Sequence, residues 1–128
     1  MLHNGEPHFS NNGYAYAKRM LEVHSRMYQE NYDDNFICVI PTNIYGPNDN
    51  WTNSGHVMTA LIKKIYDAME NGEKTVTIKG TGVAFREFLH SFDLADAILH
   101  IMNIMHDKKS LPYHTINVGS GIEYSIYE

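Results

Sequence analysis

Phe36-Ile37-Cys38-Val39-Ile40-Pro41-Thr42-Asn43-Ile44-Tyr45-Gly46-Pro47 decides the fold. Its first five residues are a continuous apolar run with β-branched content, which suits a short strand buried on both faces of a sheet. From Pro41 to Gly55 the composition turns to Pro, Gly, Asn and Asp, which predicts a long polar loop directly after that strand. In open α/β sheets ligands bind beyond the carboxyl ends of strands, and long loops inside a compact domain are usually functional. The loop is therefore the first place to look for a site.

Upstream, residues 1–13 are polar and carry Pro7, Gly5 and Gly13, a loop composition. Between Tyr14 and Asn31, Ala17, Met20, Leu21, His24, Met27 and Tyr28 recur at helical spacing, and Asp33-Asp34-Asn35 makes a turn. Downstream, Val57, Leu61, Ile65, Ala68 and Met69 mark one face of a second helix, stopped by Asn71-Gly72. Thr75-Val76-Thr77-Ile78 predicts a strand, Lys79-Gly80-Thr81-Gly82 a turn, and Arg86 to His90 a short extended piece. A third helix spans about Asp93 to His106 with Leu94, Ala97, Ile98, Ile101 and Met105 inward. Tyr113 to Val118 is a strand ending at Gly119, and Gly121 to Ile126 looks like the opening of a further helix. Helices alternating with buried-type strands give an α/β class with a largely parallel sheet. So few strands cannot be covered on both faces by these helices, so the chain is expected to be a piece of a larger domain.

The 128 residues are 43% hydrophobic and 20% charged, an ordinary globular composition. A net charge of −5 gives no basic footprint, so neither nucleic acid nor an anionic membrane is an expected partner. Cys38 is the one cysteine, which excludes an internal disulfide, and its apolar neighbours make it a core residue. Residues 1–7 hold no signal-like apolar region and no stretch approaches the ~20 residues of a membrane span, so a cytosolic setting is expected. The eight histidines show no metal-ligand spacing, so no metal is expected. Asn50-Trp51-Thr52 fits a glycosylation sequon without a secretory context.

Four groups of residues can carry chemistry. Tyr14 and Lys18 stand four apart, so on a helix they share a face. A phenol is a poor proton donor at neutral pH, and an ammonium beside it favours its ionised form and brings it toward the working range. The same spacing is also common on solvated helices. Pro41, Thr42, Asn43 and Ile44 lie at the strand exit, where Asn43 offers both donors and acceptors; the plain alternative is an ordinary turn. His56 opens the second helix, where a buried N-terminus favours its neutral form, though a histidine more often simply bounds a helix. Lys63 and Lys64 follow, ordinarily solvated, with one able to meet a phosphate. Gly80 and Gly82 permit a tight turn before Arg86, a candidate clamp for a pyrophosphate. This is not a dinucleotide fingerprint, because Phe85 stands where a third glycine is needed.

In this order the motifs resemble the extended short-chain dehydrogenase/reductases, and within them the GDP-L-fucose synthase family. The likeness rests on Asn12 to Met20, Pro41 to Asn50, Gly55-His56-Val57, and Gly80-Thr81-Gly82 with Arg86 to His90. It spans essentially the whole chain. The resemblance implies the C-terminal part of a Rossmann-like parallel sheet plus elements of a smaller substrate-binding domain. Residues 1–55 would end the Rossmann-like part, and 56–128 would mix substrate-binding with returning Rossmann elements. It also implies NADPH-dependent epimerisation at C3 and C5 and reduction at C4 of GDP-4-keto-6-deoxy-D-mannose, in a homodimeric parent enzyme.

By the same resemblance Tyr14 protonates the C4 alkoxide, and Lys18 tunes it and holds the nicotinamide ribose. Pro41, Thr42, Asn43 and Ile44 line the nicotinamide, and His56 is the acid that reprotonates carbon beside the cofactor. Arg86 contacts the GDP portion, Lys64 stands where the family has a basic substrate contact, and Lys79 stands where bacterial members have a stacking Trp. The family's glycine-rich cofactor motif, active-site Ser and catalytic Cys precede the Tyr–Lys helix, and Cys38 follows it. The chain is therefore expected to be a fragment, inactive alone. Two other readings stay open: a different nucleotide-sugar epimerase or dehydratase of the same fold, and a non-catalytic remnant that keeps an interaction surface.

Overall fold

A computed structural model describes residues 2–52, 55–107 and 113–128. The chain divides into two compact units, Met1–Ile40 with Ile98–Asn117, and Pro41–Ala97 with Val118–Glu128.

In the first unit a single 3-10 turn, Phe9–Asn11, leads into α1, Asn12–Tyr32. The helix forms where the three-and-four spacing of apolar residues places it. It ends on Asp33, whose φ of 55° is left-handed, a conformation Asp tolerates. The buried side chain of α1 is Glu22, 4% exposed, which meets His3 Nε2 at 2.6 Å and accepts from Arg26 Nε at 3.4 Å. A carboxylate persists in such a place only when paired. β1, Cys38–Pro41, pairs with β4, Thr115–Val118. Cys38 N–H donates to the His114 carbonyl at 2.9 Å, and the His114 ring in turn meets Gln29 Oε1 of α1 at 2.6 Å.

The strand expected to be buried on both faces is only half-buried throughout β1. A hollow of about 410 Å³ lies beside it, lined by Ile37, Val39, Ile101 and Met105 among others. An apolar run records what a strand is able to bury, and the described residues cover only part of it. α3, Ser91–Asp107, behaves alike. Ile101 is 8% exposed on the predicted face, whereas Ile98, placed inward by its spacing, is 37% exposed and Met102 57%. A helix apolar on several sides needs more than one neighbour.

In the second unit β2, Asn43–Tyr45, runs parallel to β3, Phe85–His90, with Asn43 opposite Phe88 and Tyr45 opposite His90. β5, Glu123–Ser125, lies antiparallel on the other side of β3, with Arg86 opposite Tyr124. α2, Val57–Glu70, stops at Asn71-Gly72 as expected, but on its predicted face Ala68 is buried and Leu61 half-buried while Val57, Ile65 and Met69 are exposed. Leu89 and Ala68, each 6% exposed, and Thr59, 1% exposed, form the core here.

Three expectations change. The loop from Pro41 to Gly55, of which Asn53 and Ser54 lie outside the described residues, contains β2. Three residues between prolines and a glycine give no periodic signal, and it is the β3 edge that makes them a strand. Thr75–Ile78 is irregular instead of a strand. No strand among the described residues pairs with it; Lys64 Nζ donates to the Thr77 carbonyl at 2.6 Å, and Val76 and Ile78 line an apolar hollow. Gly121 to Ser125 runs into a strand and not directly into a helix. Helix-opening chemistry begins at Ser125, whose N–H donates to Glu128 Oε2 at 2.8 Å while Glu128 N–H donates to Ser125 Oγ at 3.3 Å. These are the reciprocal bonds of a capping box. The Ser125 N–H, and then its hydroxyl, hold the Glu128 carboxyl below its usual range. Among the described residues no helix is long and apolar enough to cross a membrane.

Candidate functional site

Tyr14 and Lys18 belong to the first unit. Both sit on exposed turns near the start of α1, and Lys18 Nζ lies 5.5 Å from the centre of the Tyr14 ring. The i, i+4 spacing therefore delivers the pair the sequence suggests, with the ammonium over the ring face. Tyr16 contrasts with Tyr14: its hydroxyl donates to Glu6, and that bond raises its pKa above the ordinary phenol value. Cys38 lies in the same unit. Burial first, and then the Glu22 charge, push its thiol up, against a smaller opposing effect of Lys18. A half-buried thiol held protonated is a poor base or nucleophile.

The other predicted residues belong to the second unit. Pro41 ends β1, and Thr42 follows half-buried, its N–H donating to the Val118 carbonyl at 3.0 Å. Thr42 Oγ1 is buried and has no hydrogen-bond partner among the described residues. Asn43 and Ile44 lie exposed on β2. Asn43 Nδ2 donates to the Glu87 carbonyl at 2.9 Å, which leaves Oδ1 as its outward acceptor.

His56 is the N-cap of α2, with an extended backbone and no side-chain capping bond. It is exposed, so the buried helix terminus expected from the sequence is not what surrounds it. It shares a hollow of about 290 Å³ with Ile44, Tyr45, Gly46, Asp49 and Ser91. Asp49 Oδ2 is a second buried side-chain oxygen without a hydrogen-bond partner among the described residues.

Two residues, Thr59 and Gly55, hold His56 in place. Thr59 Oγ1 donates to the His56 carbonyl at 3.1 Å from a fully buried position. Gly55 packs so closely that a Cβ there would lie 2.3 Å from the Asn50 carbonyl oxygen. Gly55→Ala should therefore cost about 1–3 kcal/mol through overlap with backbone that cannot yield cheaply. A thermal midpoint equal to wild type would show that the approach is not tight. Gly55 belongs to the Gly55-His56-Val57 motif read from the sequence, whereas Thr59 carries no signal of its own.

Lys64 is half-buried and bonded to Thr77, while Lys63 pairs with Asp67 at 2.6 Å along the helix. Lys79 is exposed on the turn where Gly80 and Gly82 take left-handed φ of 84° and 73°. Arg86 is exposed on β3 and donates from Nη1 to the Phe85 carbonyl at 2.6 Å. Between α2, residues 76–78 and β5 lies an apolar hollow of about 430 Å³, lined by Leu61, Ile65, Val76, Ile78, Tyr124 and Tyr127 among others. The segments that bear Lys64 and Lys79 thus border one apolar hollow, which is built from pieces too far apart in sequence to be read together.

Residues 2–119 match the model of the NAD dependent epimerase/dehydratase family. The chain belongs to this family. Among epimerase/dehydratase relatives it is 48% identical to the GDP-L-fucose synthase of Dictyostelium discoideum, over 98% of this chain and 38% of that protein. It is 35% identical to the GDP-L-fucose synthase of Escherichia coli, over 93% of this chain and 39% of that protein. A crystal structure of a GDP-L-fucose synthetase from Naegleria fowleri bound to NADP superposes with a TM-score of 0.79 at 39% identity. That match covers 97% of this chain and 39% of the other. The chain thus spans well under half the length of the relatives it matches, within the Rossmann-like α/β fold of the epimerase/dehydratase family.

Proposed function

We propose that these residues are part of an NADPH-dependent enzyme that epimerises GDP-4-keto-6-deoxy-D-mannose at C3 and C5 and reduces it at C4, giving GDP-L-fucose. The observation that carries this reading is the Tyr14–Lys18 pair, ammonium over ring, in a chain whose relatives are synthases of that product. The residues at hand fit a nicotinamide. Thr42 Oγ1 is buried without a hydrogen-bond partner among the described residues, and Asn43, bonded through Nδ2, keeps Oδ1 as an acceptor. Pro41, Thr42, Asn43 and Ile44 would line the ring, with Lys18 on its ribose and His56 beside it. When bound, the cofactor supplies the hydride for C4.

The chain's own residues do the rest. The C4 carbonyl of the substrate acidifies the hydrogens at C3 and C5. A base removes each proton to leave an enolate, and His56 returns a proton to carbon from the opposite face. Tyr14 then gives its phenolic proton to the C4 oxygen as that oxygen becomes an alkoxide, with the Lys18 ammonium favouring the phenolate left behind. Lys64, Lys79 and Arg86 supply positive charge for the GDP portion. In this reading residues 1–55 close the Rossmann-like part and residues 56–128 mix substrate-binding with returning elements. The whole enzyme works as a homodimer in the cytoplasm.

The decisive assay gives the full-length protein the keto-sugar and NADPH and follows the sugar product by NMR. GDP-L-fucose is the expected product. A reduced GDP-6-deoxyhexose with C3 and C5 uninverted would reject the epimerase half of the reading. A second expectation concerns the 128 residues expressed by themselves. They contain no glycine-rich strand–turn–helix to cradle a pyrophosphate, so NADPH should give no binding signal in fluorescence or calorimetry. Binding in the micromolar range by this polypeptide would mean that it holds the cofactor by some other element.

A further inference from the structure

Glu87, on β3, is bonded both to Asn43 and to the turn that follows β4. Its carbonyl accepts from Asn43 Nδ2 at 2.9 Å. Its carboxylate Oε1 accepts from the Gly121 N–H at 2.6 Å and, more weakly, from Ser120 Oγ at 3.5 Å. The turn so held follows β4 and packs hard against Thr42. A Cβ on Gly119 would lie 2.2 Å from Glu87 Oε1 and 2.8 Å from Thr42 Cγ2. Thr42 itself is tied to Val118, the residue before that glycine, by its N–H. One side chain and its own carbonyl thus close a ring: Asn43 to Glu87, Glu87 to the 119–121 turn, and the turn back to Thr42.

We propose that Glu87 is the positioning residue of the Pro41–Ile44 wall, the charged bracket that fixes Thr42 and leaves the Asn43 carboxamide oxygen as the acceptor offered to the bound dinucleotide. A carboxylate accepting a main-chain N–H makes a short, charge-assisted bond, stronger than a neutral pair. The Asn43 amide is oriented by that network, because Nδ2 must face the Glu87 carbonyl. If the turn is released, Thr42 loses its packing partner, while Asn43 keeps its bond to the main-chain carbonyl of residue 87. This inference rests on the cofactor placement proposed above.

The test uses the full-length protein, NADPH affinity read by fluorescence, and the Asn43 side-chain amide read by NMR hydrogen exchange. Glu87→Ala should weaken NADPH binding about tenfold or more, as expected when a contact group shifts by an ångström. The Asn43 amide, bonded to the main-chain carbonyl of residue 87, should stay protected, which separates loss of the bracket from loss of the strand. Glu87→Gln keeps an oxygen for the Gly121 N–H, so it should bind within about threefold of wild type, a neutral acceptor being weaker by only a modest factor. Gly119→Ala should weaken binding, and less so in the Glu87→Ala background, because contacting residues couple. If Glu87→Ala does not fold, Gly119→Ala against Glu87→Gln still decides. Wild-type affinity in Glu87→Ala, a deprotected Asn43 amide that traces the loss to the strand itself, a Gln variant as impaired as Ala, or strictly additive effects would each overturn the inference. A wild-type protein that fails to bind NADPH sinks the cofactor placement itself, a different result.

Discussion

Tyr14→Phe should cut C4 reduction in the full-length enzyme by about 10²–10⁴ while leaving GDP-sugar binding near wild type. The structure makes this a clean substitution. Tyr14 is 62% exposed near the start of α1, so losing its hydroxyl opens no cavity and orphans no buried partner. Phe and Tyr have similar helix propensities, so α1 should not notice the change. The ring face under the Lys18 ammonium remains, and with it the cation–π contact. What disappears is the proton that the proposed mechanism gives to the C4 alkoxide. The thermal midpoint should therefore match wild type while single-turnover oxidation of NADPH slows. Near-normal turnover would remove Tyr14 from the mechanism and return it to the solvated-helix reading of its spacing.

How much of this the sequence reveals depends on how local each feature is. α1 and α2 are long enough for their apolar spacing to speak, and Tyr14 and Lys18 meet because i and i+4 share a helix face whatever surrounds them. β2 is silent, since its three residues become a strand only through β3, more than forty positions away. Thr75–Ile78 shows the converse: strand-like residues without a partner edge stay irregular, because β propensity mostly measures neighbours. At the site, His56 is legible, but its setting is not. Ser91 completes its hollow through the fold, and Thr59 and Gly55 anchor it through close local contacts at the helix start. Lys64 is legible as a cation, whereas its bond to the Thr77 carbonyl is a product of the fold. The bracket at Glu87 escapes the sequence because its partners come from two distant segments, Thr42-Asn43 and the 119–121 turn.

His56→Gln should separate the two chemistries, losing about 10²–10⁴ in epimerisation while keeping the reductive apparatus of Tyr14 and Lys18. The helix start should survive the change. The His56 side chain makes no capping bond, and the bond that anchors it there comes from Thr59 to its main-chain carbonyl, which Gln retains. Glutamine also keeps the bulk and polarity of the side chain at the mouth of the hollow shared with Asp49 and Ser91. It cannot give up a proton at neutral pH, whereas imidazolium can. Inversion at C3 and C5 needs a proton delivered to an enolate carbon on the face opposite its removal, so without that donor the enolate can only take its proton back. Reduction needs a donor at the C4 oxygen alone, and Tyr14 is untouched. Given keto-sugar and NADPH in deuterated water, the variant should release an unepimerised, reduced GDP-6-deoxyhexose, or stall with slow deuterium exchange at C3. If it instead makes GDP-L-fucose at the wild-type rate with full deuterium incorporation at both carbons, His56 merely opens α2 and the carbon acid lies elsewhere.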